Sequence, residues 1–141
     1  MSNIDDLLNR VEQRIERQID QTNKEVAMFI RDDARNRCPV DTGELRNSIT
    51  SEVKDGNISA FTNMEYGPYV EYGTGQVGQE TNKRPGINYR KNAWCYVDDD
   101  GNFIWTKGQK AQPFMYPALH DNKKQIVKKY KNDLKNALRG V

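Results

Sequence analysis

From residue 3 to about residue 37 the apolar positions recur at steps of three and four: Ile4, Leu7, Leu8, Val11, Ile15, Ile19, Val26, Phe29, Ile30, Ala34 and Cys38, with Thr22 in the same stripe. That period predicts one long amphipathic helix. Ser2 or Asn3 can cap it, Asp5 and Asp6 suit the positive end of its dipole, and Pro39 stops it. At 1.5 Å per residue the helix would be roughly 50 Å long, more than a domain of this size is wide. Its first half sets single aliphatic residues between charges. Leu7, Leu8, Val11 and Ile15 therefore form a candidate assembly surface for a neighbouring molecule, with packing on the chain's own sheet as the alternative.

Past Pro39 the period changes. PVDTGEL reads as a turn, in which Asp41 and Thr42 can accept from the following amides and Gly43 can take a left-handed conformation. LRNSITSEVKDGNISAFTN alternates and predicts two strands joined at Asp55-Gly56, and NAWCYV and FIWT flank DDDGN as a second hairpin. From Pro113 the spacing is helical again: Ala118, Leu119, Ile126, Val127, Tyr130, Leu134, Ala137 and Leu138 share a face, and Gly140 ends it. The opposite face is a lysine stripe. This order predicts an α+β fold, a long N-terminal helix (1–37) and a C-terminal helix packed on a small antiparallel sheet, with 76–110 a variable loop and hairpin insertion. At 141 residues the whole chain, 1–141, reads as a single domain.

Charged residues make up 30% of the chain and hydrophobic ones 35%, so the core should be thin and some surfaces completed by partners. Lys and Arg (22) nearly balance Asp and Glu (20), a net +2 that gives no global signature of nucleic-acid binding. Locally, Lys123, Lys124, Lys128, Lys131 and Lys135, with Lys129 and Arg139 beside them, form either a solvated face or a contact for DNA phosphates or an acidic partner. No run of about 18 apolar residues exists, and MSNIDDLLNR lacks the basic and then apolar segments of a leader, so no membrane partner and synthesis in the cytoplasm are expected.

The sequence EYGTGQVG spaces Gly73, Gly75 and Gly78 as G-x-G-x-x-G, and Asp98 lies where a dinucleotide fold wants its acid. The flanks do not supply the buried strand and the phosphate-binding helix which that chemistry needs, so the stretch reads as a flexible glycine loop without a cofactor. His120 stands alone beside Asp121, and Glu65 and Glu71 read as solvated carboxylates rather than an acid–base pair. Asp98, Asp99 and Asp100 suit a turn better than calcium, since no Glu closes the loop. Cys38 and Cys95 lack the paired spacing of a zinc site, so two reduced structural thiols are expected, a disulfide being the alternative. No catalytic, cofactor or metal site is predicted, nor a small-molecule substrate.

Three stretches in order, CPVDTGELRNSI (38–49), YGPYVEYGTG (66–75) and QKAQPFMYPAL (109–119), resemble the minor tail-component family of tailed bacteriophages and prophages, the tail-completion or head-tail joining proteins of the neck. The resemblance runs from roughly residue 25 to the end and departs over 76–110. It carries onto Pro39, Asp41, Thr42, Gly43, Leu45 and Ser48, onto Tyr69, Val70, Glu71, Gly73 and Thr74, and onto Pro113, Phe114, Pro117, Ala118 and Leu119, as positions of fold and assembly. It implies a non-catalytic virion protein, made in the bacterial host, that forms a homo-oligomeric ring at the neck and contacts other neck and tail proteins. A tail terminator capping the tube is the neighbouring alternative, and a DNA-binding module holding the genome end in the channel is a more distant one.

Overall fold

The long stripe does form a single helix: α1 runs unbroken over Asn3–Arg37 in the computed structural model, which describes residues 3–141. Ser2, one of the two expected caps, lies outside the described residues. The stripe is divided along its length. Thr22, Asn23, Val26, Ala27, Ile30 and Ala34 are buried, whereas no residue from 3 to 21 is. Phe29, expected in the stripe, stands at 41% exposure because it lies about 100° around the helix from Ile30, at the edge of the buried arc.

After Pro39 the chain turns at Gly43, whose φ is 87°, and the Thr42 hydroxyl accepts from the Glu44 amide at 3.3 Å. Residues 45–48, read from sequence as the start of a strand, belong instead to a short helix, α2 (Glu44–Ser48). Leu45 and Ile49, four apart and both buried, are a helical pair that the alternating reading absorbed. β1 (Thr50–Lys54) and β2 (Asn57–Phe61) then pair antiparallel, with Thr50 opposite Phe61 and Val53 opposite Ile58. Asp55 (φ 52°) and Gly56 (φ 78°) are both left-handed, as a two-residue hairpin with right-handed twist requires.

Two further helices, α3 (Gly67–Tyr72) and α4 (Gly75–Thr81), lead into the second hairpin, β3 (Trp94–Val97) and β4 (Phe103–Thr106). The two hairpins do not join, so two separate two-stranded sheets replace the single sheet expected. The C-terminal helical region is likewise two helices, α5 (Met115–His120) and α6 (Lys123–Ala137). Between them Asn122 is buried, its side-chain amide donating to the Ala118 carbonyl (2.9 Å) and to Asp33 on α1 (2.7 Å).

The core is as thin as the composition implies: Val26, Ile30, Ala34, Cys38, Leu45, Ile49, Phe114 and Ala118 form its buried cluster, drawn from α1, α2, α5 and the residues that flank them. α6 lies antiparallel along α1, since Asp121 meets Arg37, Lys129 meets Glu25, Asp133 meets Thr22 and the Arg139 carbonyl meets Arg14. None of its residues is buried. Ile126 and Tyr130 lean on the core, while Val127 and Leu138, expected on the same apolar face, remain exposed. The seam is polar instead: the Thr22 hydroxyl donates to Asp133 at 2.8 Å, and the Tyr130 hydroxyl donates to Asn23.

Candidate assembly surfaces

Two of the three sequence motifs meet at one buried carboxylate. Glu71 on α3 is 5% exposed, not the solvated side chain that its polar neighbours suggest. Its Oε1 accepts from the amides of Met115 (2.8 Å) and Tyr116 (3.1 Å), and its Oε2 from Phe114 N (3.0 Å). These are the first amides of α5, left without intrahelical partners. A carboxylate there satisfies them and meets the positive end of the helix. The fourth donor is Arg84, whose Nη2 reaches Oε2 at 3.1 Å. Its guanidinium lies 4.6 Å from the ring centres of both Tyr72 and Tyr116. Phe114, beside this junction, is 1% exposed and anchors the start of α5 in the core.

The glycine-spaced stretch is helical and packed, not the flexible loop expected of it. Helices flank Gly73 on both sides, and α4 begins at Gly75, where the sequence showed no helical period. At the start of α4 the Val77 amide donates to the Lys107 carbonyl at 3.1 Å. The glycines permit close packing. A Cβ on Gly73 (φ 73°) would stand 2.6 Å from the Gln109 carbonyl oxygen, and one on Gly78 would stand 2.6 Å from the Gly73 carbonyl carbon. Thr74 and Gln109 close the insertion at its neck: the Thr74 amide donates to the Gln109 carbonyl (2.9 Å), and the Gln109 amide donates to the Thr74 carbonyl (3.1 Å) and hydroxyl (2.9 Å).

The other candidates are scattered. His120 stacks on Tyr116 (ring centres 4.9 Å apart) and reaches Asp121 at 3.4 Å, both exposed. Asp98 is occupied by its own turn, with Oδ1 accepting from Asp100 N (3.0 Å) and Asn102 N (2.8 Å). Both cysteines are free. Cys38 is buried, and its thiol pKa is raised by desolvation. Cys95 is exposed on β3.

Three surfaces remain. The first half of α1 leaves Leu7 and Leu8 exposed (38% and 59%) and Val11 and Ile15 half-buried. Lys123, Lys124, Lys128, Lys131 and Lys135 are exposed on α6, but Lys129 leaves the stripe to meet Asp133 (3.1 Å) and Glu25. The third surface was missed from sequence: one side of the β3–β4 hairpin carries Val97, Phe103 and Trp105 at 56, 79 and 73% exposure. The alternation in WCYV and FIWT was its signal, since Val97 and Phe103 pair across the strands and Trp105 lies two residues from Phe103, on the same face.

Compared with known protein families, residues 3–73 match the family described as "Bacteriophage HK97-gp10, putative tail-component". The match takes in all of α1, including the part before residue 25, and ends at Gly73, short of the third motif at 109–119. No curated protein and no solved structure matches the chain.

Proposed function

Because the chain belongs to the HK97-gp10-like family of bacteriophage tail components, we propose that it is a non-catalytic virion protein that forms a ring of its own copies at the head-tail interface and joins or completes the tail. In this reading all of residues 1–141 work as one unit. The chain is made in the bacterial host cytoplasm and then engages other neck and tail proteins. The observation that carries it is the placing of the apolar surface. Leu7 and Leu8 stand free on a helix end about 50 Å from its other end, and Phe103 and Trp105 stand free on a separate hairpin. Exposed apolar groups of this size mark contact with other proteins, and two separated patches suit a head-to-tail contact that closes a circle. The deciding variant replaces the exposed pair Leu7 and Leu8 with Ser and leaves the half-buried Val11 and Ile15 in place. It should keep the wild-type circular dichroism and thermal midpoint, yet fail to enter particles and leave heads and tails unjoined. Entry at the wild-type level would refute the reading.

The exposed lysines of α6 favour one additional role, contact with the DNA in the neck channel through Lys123, Lys124, Lys128, Lys131 and Lys135. Phosphate contacts release counterions, so duplex affinity should fall steeply between low and high salt. An affinity indifferent to salt would remove this role.

A further inference from the structure

A run of cations without carboxylates lies beside two clefts walled by aromatic rings. From 81 to 97 the chain carries Lys83, Arg84, Arg90 and Lys91 and no Asp or Glu, with Tyr89, Trp94 and Tyr96 set among them. Arg84 is engaged by Glu71. The other three cations are exposed, and among the described residues none of them meets a carboxylate. Asp99 and Asp100 stand at the far turn of the hairpin, a strand's length, roughly 13 Å, from Trp94.

The fold closes this segment against α3 and α4. The Tyr89 hydroxyl donates to the Tyr72 carbonyl at 2.7 Å and accepts from the Asn82 side-chain amide at 2.8 Å, and the Gln76 side chain donates to the Lys91 carbonyl. Between the segment and α3 lies a cleft of about 510 Å³, walled by Tyr69, Tyr72, Tyr89 and Trp94, with Arg90 as its one charged residue among the described residues. The Arg90 guanidinium stands 5.1 Å over the Trp94 ring. Tyr69 and Trp94 also line a second cleft, of about 480 Å³, which Tyr66 and Tyr96 complete. Tyr69 is 59% exposed and Tyr96 47%, so both rings offer open faces.

Open aromatic faces beside unpaired cations suit unstacked bases and their phosphates, because every base has a face that stacks and every phosphate a charge to neutralise. A sugar also stacks on such rings, but its hydroxyls call for carboxylate acceptors, and none lines either cleft among the described residues. We infer that the two clefts bind single-stranded nucleic acid, one base stacked on Tyr69 and Trp94 and a neighbouring base on Tyr96, with the phosphates at Arg90 and Lys91. This surface is separate from the α6 lysines. The free chain carries it, so it does not depend on a place in the neck.

Fluorescence anisotropy of a labelled oligothymidylate strand, titrated with the purified chain, tests it. The strand should bind, with an affinity that falls as salt rises. Tyr69→Ala should weaken binding about tenfold, the loss of one stacked base, while Tyr69→Phe should bind as the wild type does. Arg90→Ala with Lys91→Ala should flatten the slope of log affinity against log salt by about 1.4, the share of two single-strand phosphate contacts. Against the same sequence as a duplex Tyr69→Ala should change nothing, which separates this site from the α6 lysines. No binding of the strand, an affinity that Tyr69→Ala leaves unchanged, or an equal loss against the duplex would overturn the inference. Displacement of the strand by chitohexaose would assign the clefts to a glycan and overturn it too. The neck reading is decided in particles and stands or falls apart from all of these outcomes.

Discussion

Glu71 is bonded to four donors at once, three of them α5 amides and one the guanidinium of Arg84. Glu71→Gln keeps the shape, removes the charge and replaces one acceptor oxygen with a donor that faces donors. Hydrogen bonds to charged groups are worth about 1.5–3 kcal/mol, and a buried amide left unpaired costs a similar amount, so a loss of about 2–3 kcal/mol is expected in urea unfolding. A change within error would mean that water replaces the carboxylate. Gly73→Ala and Gly56→Ala separate strain from crowding. Both residues have positive φ, but a Cβ on Gly56 meets nothing within 4 Å, whereas one on Gly73 meets two backbone atoms of the 109–111 segment inside 3 Å. Gly56→Ala should cost about 1 kcal/mol and Gly73→Ala about 2–4 kcal/mol, read from the same urea midpoints. The role of Glu71 was not legible in sequence, because the partners that bury it lie 43–45 residues away and YGPYVEYG has no apolar period of its own.

Elements with their own period were legible: the long run of α1 and the alternation and turn residues of both hairpins. α2, α3 and α4 were not, at 5, 6 and 7 residues, because one or two turns cannot display a 3.6-residue repeat. Nor was the weakness of α6, which follows from its polar seam. The Asp133 carboxyl sits below its ordinary 3.8, chiefly through the Thr22 hydroxyl and then Lys129, and Glu25 sits below 4.5 through Lys129 and then Gln21. Carboxyls lowered on folding stabilise above their unfolded values and lose that contribution as pH falls through the lowered ones. Lys129 is raised above 10.5 by Glu25 and Asp133, and Tyr130 above 10.0 by desolvation, so their contributions hold below those values and are lost as pH rises through the raised ones. The thermal midpoint should therefore be flat near neutrality, fall below about pH 4 and fall again above about pH 10. Asp133→Asn should shrink the acid limb. Because the Glu25 and Asp133 side chains are only partly buried, at 42 and 22% exposure, the limbs should also shrink in high salt.

At the scale of the whole molecule the two thiols report on different events. Cys95 is exposed and Cys38 is 4% exposed at the centre of the core cluster, with a pKa raised by burial that lowers its thiolate fraction further. Iodoacetamide on the native protein should add one label within minutes, and a second only at the rate at which the core opens, so denaturant should bring the total to two. Two fast labels would place Cys38 outside a stable core. The bonds between Thr74 and Gln109 have another consequence, for descent rather than for folding. They bring together two points 35 residues apart, so the segment between them begins and ends at the same place. A closed excursion of this kind can lengthen, shorten or be exchanged at little thermodynamic cost, about 0.6 kcal/mol for each doubling. The frame is tied to the segment by Arg84 at Glu71, by the Tyr89 hydroxyl on the Tyr72 carbonyl and by the Thr81 hydroxyl at the Ala111 amide, so an exchange that keeps these three residues leaves the frame undisturbed. A lineage could then recast the segment that meets its neighbours while inheriting the frame intact, and the family match stops at the threshold of that segment.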